Sequence, residues 1–298
     1  MIARLRVWGS AMPYATVGRE NCGDVELYYE DHGCGAPVVL IHGCPLSGAF
    51  WQRQLPALLK TNHRVVTYDR RGFGRLSQPT TGYDYDTFAR DLRTLVEQLE
   101  LRDFTLVGFS SGAGEVARYR GSYDSAHVAG AVIIAGVTPY LPRTADNPEG
   151  LDRNMLDSVV RAVADDRHAF FAGYYKNFYN VDVLPGRRLS EQTLQASWNV
   201  AAAASGVACV ACVRSCHEDC RADVARIDVP TSVMHGDAVR IVPIGAGGSR
   251  TRSHIKGARL VVLKNGPHGV HWTHAAEVNG ELLTFLSEHT AGSRRQVA

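Results

Sequence analysis

Short apolar runs rich in β-branched residues recur along the chain and alternate with segments of helical periodicity. Seven of these runs are predicted to be strands: Val25–Glu30, Pro37–His42, Arg64–Tyr68, Phe104–Val107, Val128–Ala135, Thr231–His235 and Arg259–Leu263. Such runs are apolar on both faces, as in a parallel sheet covered by helices. Two segments, 88–99 and 275–286, instead repeat apolar residues at the spacing of one helix face. Strands that alternate with helices predict a doubly wound, mostly parallel α/β sheet.

The alternation stops between residues 138 and 221, where no convincing strand is found. We expect a helical cap there, inserted into an α/β core formed by residues 12–137 and 222–288. Residues 1–11 are interpreted as an N-terminal extension and residues 289–298 as a flexible, solvated tail. The cap is rich in aromatic residues, which either form its own core or line a substrate pocket: Phe170, Phe171, Tyr174, Tyr175, Phe178, Tyr179 and Trp198.

The composition narrows the class of protein. Among 298 residues, 32 Lys and Arg balance 30 Asp and Glu, so we expect neither nucleic acid nor an anionic membrane as a partner. No apolar run approaches the roughly 20 residues that span a bilayer. The N-terminus lacks the apolar stretch of a secretory signal, and the seven cysteines are an odd number. Both features predict reduced thiols and a cytoplasmic protein.

A candidate nucleophile lies at a predicted strand-to-helix junction. Gly108-Phe-Ser-Ser-Gly112 has the form G-x-S-x-G and follows the predicted strand Phe104–Val107. At such a junction a sharp turn needs small flanking residues, and the serine between them is strained and exposed. We therefore predict that Ser110 is a catalytic nucleophile.

A serine hydroxyl is a poor nucleophile at neutral pH and needs a proton acceptor. His268 lies in the loop after the last predicted strand, where the histidine falls in the chain order serine, acid, histidine. His271 and His274 begin the next helix and are interpreted as surface or packing residues. The loop His42-Gly-Cys-Pro45 follows the second predicted strand, so the backbone N–H of Cys44, with that of Ser111, is expected to form an oxyanion hole.

Several longer motifs accompany these residues. They are Leu27–Gly33 (LYYEDHG), Val38–Gly43 (VVLIHG), Pro45–Gly48 (PLSG), Tyr68–Gly74 (YDRRGFG), Thr81–Phe88 (TGYDYDTF), Gly114–Tyr119 (GEVARY) and Trp272–His274 (WTH). Through them the chain closely resembles the bacterial cofactor-free haloperoxidases, which are α/β-hydrolases also described as arylesterases and perhydrolases. The resemblance extends from about Met12 to Glu288.

The resemblance implies an α/β-hydrolase fold, the roles given above for Ser110, His268, Cys44 and Ser111, and no haem, metal or other cofactor. It implies a serine hydrolase that acts on carboxylic esters through an acyl-enzyme. Hydrogen peroxide replaces water in deacylation, and the released peracid oxidises halide. Pro45 matches a proline associated with favouring peroxide. Members of the family are commonly homo-oligomers, so a trimer or dimer is expected.

The chain departs from the family at the acid. The family carries Asp in a loop written G-x-x-D-x-x-x-P, and in Gly236–Pro243 that position is Val239. Three alternatives are open. Asp237 reaches His268 from two residues upstream; or water or a backbone carbonyl orients the histidine in a weakened Ser–His dyad; or the protein is a catalytically impaired α/β-hydrolase that binds a ligand. Loss of the acid's function costs roughly 10⁴ in turnover in well-studied triads.

Cysteines raise two further questions. Cys44 stands where the family usually has a large aromatic residue, so its thiol is a candidate oxidation site if peroxide is a substrate. Ser111 replaces a larger residue, usually Met.

Four further cysteines are predicted to fall on one stripe of a continuous helix: Cys209, Cys212, Cys216 and Cys220. That stripe is about 16 Å long, too long for one zinc ion to collect four thiols, so we predict a packed apolar face and no metal.

An epoxide or haloalkane hydrolase fits poorly, since those enzymes use Asp where this chain has Ser110. The predicted function is therefore ester hydrolysis with perhydrolysis, and a non-catalytic ligand-binding protein is the alternative.

Overall fold

A computed structural model describes residues 13–293, except residues 76, 124–125, 185 and 187. Eight strands form one sheet: β1 Tyr14–Glu20, β2 Gly23–His32, β3 Pro37–Ile41, β4 Arg64–Tyr68, β5 Phe104–Phe109, β6 Val128–Ile134, β7 Thr231–Gly236 and β8 Arg259–Leu263. Their order is β1-β2-β4-β3-β5-β6-β7-β8. β1 pairs antiparallel with β2 and β2 with β4, and the remaining neighbours are parallel. The prediction of a mostly parallel α/β sheet is confirmed.

Helices cover both faces of this sheet. They are α1 Leu55–Lys60, α2 Tyr85–Gln98, α3 Gly112–Ser122, α4 Arg153–Tyr179, α5 Glu191–Ala203, α6 Gly206–Ser215, α7 Arg221–Ala225, α8 Gly248–His254, α9 Val270–Thr273 and α10 Ala275–Ser293. A single turn of 3-10 helix, Gly48–Trp51, follows β3. The side chains of the central strands β3 and β5 are almost fully buried, which explains their continuous apolar sequences.

Strand β1 was not among the seven strands predicted from the sequence. Most of its residues are exposed or half-buried, so its sequence lacks the apolar run that identified the other strands. It joins β2 through a two-residue turn at Asn21 and Cys22, both with positive φ. Such a hairpin turn favours Asn followed by Gly, and the cysteine at the second position hid the signal.

The region expected to form the cap contains helices α4, α5 and α6. Helix α4 is kinked at Asp166, whose φ of −151° and ψ of 85° are not helical. The Asp166 carboxylate accepts hydrogen bonds from the backbone N–H groups of His168 and Ala169, so it caps the second half of the helix. The chain can therefore bend over the carboxyl ends of the strands.

Two expectations need correction. Cys209–Cys220 is not one continuous helix: α6 ends at Ser215 and α7 begins at Arg221, so the four cysteines do not share one stripe. The tail expected from residue 289 is helical at its start, because α10 extends to Ser293. Residues 294–298 and the N-terminal extension 1–11 lie outside the described residues.

Within the described part of the chain, no single helix has the length and apolar character of a membrane span. Helices α5 and α6 meet that criterion only as a pair, across a bend of 100°.

Candidate active site

Ser110 occupies a tight turn between β5 and α3. Its φ is +52°, in the left-handed region that a residue with a side chain rarely adopts. Its N–H donates to the Ile134 carbonyl on β6 at 3.0 Å. A Cβ on Gly108 would lie 2.6 Å from the Gly112 carbonyl oxygen, and one on Gly112 would lie 2.6 Å from that of Ile41. Both glycines are therefore needed for the turn that presents the serine.

The imidazole of His268 lies beside this hydroxyl. His268 Nε2 is 3.0 Å from Ser110 Oγ, although 158 residues separate them in the chain. The loop after β8 carries the histidine to the same edge of the sheet as the end of β5. The rings of Phe109 and Phe178 pack on the imidazole, with centroids 5.2 and 5.1 Å away. Gly269 N–H donates to the Phe178 carbonyl at 2.8 Å, so helix α4 anchors the histidine loop.

His268 is fully buried, and this controls its charge. Desolvation by burial, with a smaller contribution from nearby His235, lowers the pKa of His268 to about 3. The imidazole is therefore neutral at physiological pH and can accept the proton of Ser110. The same burial raises the free energy of the protonated imidazolium, since no carboxylate among the described residues stabilises its charge.

The structure does not bring Asp237 to the histidine. Asp237 is exposed, and its carboxylate instead accepts the backbone N–H of Asn265 at 2.6 Å. No atom of the described residues accepts a hydrogen bond from His268 Nδ1. Asp237 as the third member of a triad is thus corrected: the backbone after β7 directs its side chain outward. Val239, at the family's acid position, is a buried side chain without a polar atom.

The loop after β3 lies against Ser110. His42 anchors it, because the His42 ring contacts the Gly43 carbonyl through Nδ1 at 2.8 Å and accepts Arg70 N–H through Nε2 at 2.9 Å. A Cβ on Gly43 would lie 2.8 Å from the Ser110 Cβ, so only glycine allows this approach. The loop places the Cys44 backbone beside Ser111.

The two expected oxyanion donors are not equivalent. Ser111 is the N-cap of α3, and the first N–H groups of a helix have no acceptor within it. The Cys44 N–H instead donates to the Ser111 hydroxyl at 2.8 Å. In this structure the protein itself engages one of the two expected donors, and an oxyanion bound there would have to displace the Ser111 hydroxyl.

A buried ionic network supports Ser111. Arg70 Nη1 donates to the Ser111 hydroxyl at 3.0 Å, and Arg70 Nε lies 2.7 Å from a Glu115 carboxylate oxygen. Tyr68 donates a short hydrogen bond to Glu115. Burial raises the pKa of Glu115 to about 7, against the opposing charge of Arg70. Tyr68 and Arg70 lie in YDRRGFG and Glu115 lies in GEVARY, but neither motif predicted that the three side chains meet in one buried network.

A cavity of about 410 Å³ opens at Ser110 and is also lined by residues of helices α4 and α6. Its wall is mostly apolar and includes Val137, Leu141, Leu151, Met155, Leu156, Val159, Phe170, Phe171, Tyr174, Val213, Ile241 and Val242. Of the aromatic residues that the sequence placed in an expected cap, Phe170, Phe171 and Tyr174 line this cavity. Tyr175, Phe178 and Tyr179 are buried in the core instead. Some of these aromatic residues therefore line the cavity, and others form part of the hydrophobic core.

His271 and His274 are both packing residues, which is one of the two interpretations that the sequence left open for them. His271 is buried and its ring stacks on Phe50. His274 is also buried and not at the surface. In the described ranges no group of three or more His, Cys, Asp or Glu side chains is arranged to hold a metal ion.

Comparison with known proteins agrees with this geometry. Residues 36–275 match a family model described as the alpha/beta hydrolase fold. A protein of Synechocystis sp. named putative non-heme chloroperoxidase is 53% identical, over 92% of this chain and 100% of the relative. A bifunctional esterase/perhydrolase of Acinetobacter calcoaceticus is 33% identical, over 88% and 96% of the two chains.

A solved structure gives the same result. The crystal structure of a bromoperoxidase from Bacillus anthracis superposes with a TM-score of 0.88 at 43% identity, and covers 92% of this chain and 99% of that one. The resemblance inferred from the motifs is thereby confirmed, and the chain belongs to the α/β-hydrolase family.

Proposed function

We propose that this protein hydrolyses carboxylic esters through an acyl-enzyme on Ser110, with peroxide as an alternative acceptor of the acyl group. The contact between Ser110 Oγ and His268 Nε2 at 3.0 Å, on a strained turn at the end of a cavity, carries this proposal. The relatives named chloroperoxidase and esterase/perhydrolase support it.

In acylation, neutral His268 takes the proton of Ser110 as its oxygen attacks the ester carbonyl. The negative charge that develops on the carbonyl oxygen meets the Ser111 N–H at the start of α3. Rotation of the Ser111 hydroxyl towards Arg70 would free the Cys44 N–H as a second donor. His268 then gives its proton to the leaving alcohol.

In deacylation, the acyl-enzyme reacts with water to give a carboxylic acid, or with hydrogen peroxide to give a peracid. In each case the acceptor's proton passes through His268 back to Ser110. A peracid can then transfer oxygen to a halide ion outside the site, which fits the names of the haloperoxidase relatives. Every step uses side chains and backbone of the chain itself.

In this mechanism His268 acts as the base without a carboxylate partner. The rings of Phe109 and Phe178 hold its orientation by packing, while Nδ1 lacks a partner among the described residues. A neutral base held in place allows acylation, but an unstabilised imidazolium raises the barrier. We therefore propose a Ser–His dyad with a turnover well below that of a complete triad.

A fluorophosphonate probe and an aryl acetate test this proposal together. We expect the probe to label Ser110, as peptide mapping reads directly, and the aryl acetate to give a burst of phenol followed by slow turnover. The Ser110→Ala variant, checked for folding by circular dichroism, should show neither. Monochlorodimedone bromination with acetate and peroxide tests the perhydrolase branch.

The alternative is a ligand-binding protein on the same scaffold. The unpartnered Nδ1 and the engaged Cys44 N–H favour it. Absence of both labelling and burst in the folded protein would overturn the ester hydrolase and leave the ligand-binding protein as the remaining alternative.

We also propose that the protein is cytoplasmic and forms a homo-oligomer, a trimer or a dimer, as the family resemblance implies. The balanced net charge of +2 supports small-molecule substrates over nucleic acid or membrane partners. Light scattering coupled to size exclusion gives the mass of the assembly and tests the predicted trimer or dimer.

A further inference from the structure

One permanent positive charge lines the cavity at Ser110. Among the described residues of its wall there is no Asp, Glu or Lys, and Arg240 is the single arginine. His217 lies in the wall as well, but burial lowers its pKa from the ordinary 6.5, so its ring is uncharged at neutral pH. The charge of Arg240 is therefore not balanced by another residue of the wall.

The Arg240 guanidinium already holds one carboxylate. Its Nη1 and Nη2 donate to the two carboxylate oxygens of Asp182 at 2.8 and 2.9 Å. This paired geometry is the one in which arginine recognises a carboxylate. Asp182 is not part of the cavity wall, and its side chain is 62% exposed. An ion pair so open to water is weak, so a ligand carboxylate can compete with Asp182 for the guanidinium.

The guanidinium also keeps donors for a second carboxylate. Arginine carries five N–H donors, and Asp182 accepts from two of them. Within the described part of the chain, no other side chain or carbonyl accepts from Arg240. Asn177, on the last turn of α4, lines the same cavity and carries two more N–H donors in its side-chain amide. Arg240 and Asn177 together offer a carboxylate both charge and hydrogen bonds.

The part of the wall that carries Arg240 does not depend on the ion pair. Asn180 is the C-cap of α4 and is buried, and its side-chain N–H donates to the Ala238 carbonyl at 2.9 Å. This bond joins the same two segments as the ion pair, namely the end of α4 and the loop after β7. Loss of the Asp182 carboxylate should therefore leave the wall in place and free the guanidinium.

We propose that the protein acts on esters whose acyl chain ends in a carboxylate, which are monoesters of dicarboxylic acids, and that Arg240 binds this carboxylate. The inference rests on the ester hydrolysis proposed above and adds the class of acyl group. The ester carbonyl lies at Ser110, the methylene groups lie along the apolar wall, and the terminal carboxylate meets Arg240 and Asn177. Arg240 contacts no reacting atom, so it determines specificity and acts mainly on KM.

The experiment compares p-nitrophenyl monoesters of adipic, pimelic and suberic acid with uncharged esters of the same shape, in which an isopropyl group replaces the carboxylate. The charge preference is the ratio of kcat/KM for the charged ester to that for its uncharged counterpart. We expect one chain length to give the highest charge preference, because only that chain spans the distance from Ser110 to Arg240. Added NaCl should lower this preference, since salt screens the exposed guanidinium.

Two variants should move the charge preference in opposite directions. Arg240→Gln keeps a hydrogen-bonding side chain without the charge, and we expect the preference to fall about tenfold. Asp182→Asn removes the competing carboxylate, and we expect a rise of about threefold. Arg214→Gln is the matched control, because Arg214 is an exposed residue of α6 outside the cavity wall and its loss removes the same net charge. This control should leave the preference unchanged.

Binding is also measured without turnover. In Ser110→Ala, calorimetric titration with monomethyl adipate, pimelate and suberate should show binding, and addition of Arg240→Gln should weaken it at least about fivefold. Thermal unfolding checks that each variant is folded.

If uncharged esters are hydrolysed but Arg240→Gln and Arg214→Gln share the charge preference of the unmodified chain, the carboxylate site is overturned and the ester hydrolase stands. If the unmodified chain hydrolyses no ester, the ester hydrolase fails, and the titrations alone decide whether Arg240 binds a carboxylate.

Discussion

The backbone N–H of Cys44 donates to the hydroxyl of Ser111 at 2.8 Å, directly beside Ser110. The hydroxyl thus occupies a donor that a developing oxyanion needs. Arg70 Nη1 holds the same hydroxyl from the other side at 3.0 Å. The proposed catalytic cycle breaks the contact with Cys44 and can keep the contact with Arg70, so it makes Ser111 a competitor of substrate for the Cys44 N–H.

Removal of this hydroxyl should therefore increase ester turnover. In Ser111→Ala the Cys44 N–H is free before substrate binds, and the Ser111 backbone N–H is unchanged. We expect kcat for an aryl acetate to rise several-fold, since one oxyanion donor contributes about 3–4 kcal/mol and only part of that is lost to competition. Steady-state kinetics measures the effect.

Ser111→Thr is the matched control, because it keeps the hydroxyl and should stay near the unmodified rate. A fall in kcat for Ser111→Ala, with the fold intact, would mean that the hydroxyl serves the transition state and does not compete with it.

A carboxylate at the family's acid position should restore the missing partner of His268. In Val239→Asp we expect kcat to rise at least tenfold, within the roughly 10⁴ that the acid is worth in complete triads. A carboxylate beside the imidazole also raises its pKa from about 3. The unmodified protein should keep its activity as pH falls from 8 to 5, whereas the variant should lose activity below about pH 6.5.

Val239→Asn separates charge from shape, since its amide has similar volume and no charge. We expect it to show neither the increase in kcat nor the new acidic limb. If Val239→Asp is folded and both its rate and its pH profile equal those of the unmodified chain, residue 239 does not face His268 and the acid position is misassigned.

The sequence predicted those parts of the molecule that depend on local pattern. Ser110 was found because the G-x-S-x-G turn follows a buried strand, and His268 because chain order places a histidine after the last strand. The orientations of single side chains were not predictable in this way. Asp237 precedes His268 in the chain, as the order serine, acid, histidine requires. The backbone after β7 nevertheless directs its carboxylate to the backbone N–H of Asn265.

Three further features depended on long-range packing. The engagement of the Cys44 N–H by Ser111 joins residues 67 positions apart, and no periodicity encodes it. The end of α6 at Ser215 separated cysteines whose spacing matched one continuous helix. The ionic contact between Arg70 and Glu115 is buried. Charged residues in a sequence are interpreted as exposed by default.

Buried neutral histidines should make the fold sensitive to acid. Burial lowers the pKa of His42 and that of His268 to about 3, from 6.5 in the unfolded chain. As pH falls below 6.5 the unfolded chain binds protons that the folded chain does not, so the free energy of unfolding falls until about pH 3. Above pH 6.5 these histidines are neutral in both states, so they do not make the free energy of unfolding depend on pH. Urea unfolding midpoints from pH 8 to 4 measure this, with about 1.4 kcal/mol per pH unit for each histidine.

His271 offers a test of that argument at a single site. It is fully buried, its ring stacks on Phe50, and neither ring nitrogen has a partner among the described residues. Burial lowers the pKa of His271 as well. His271→Phe removes two unsatisfied polar atoms and one protonation site, so we expect a gain of about 1 kcal/mol at pH 8 and a larger gain at pH 5. An equal loss of stability at both pH values would show that the site does not accept the phenyl ring.

The apolar cavity should select the acyl group. Each added methylene that becomes buried contributes about 0.8 kcal/mol, close to a fourfold gain. We therefore expect kcat/KM for p-nitrophenyl esters to rise from acetate to hexanoate until the cavity is full. Val159→Phe, which narrows the wall, should move the optimum to a shorter chain, whereas Val183→Phe changes an exposed side chain away from the cavity and should leave the optimum unchanged. A flat series in the unmodified protein would place the acyl group outside this cavity, with the alcohol portion of the ester inside it.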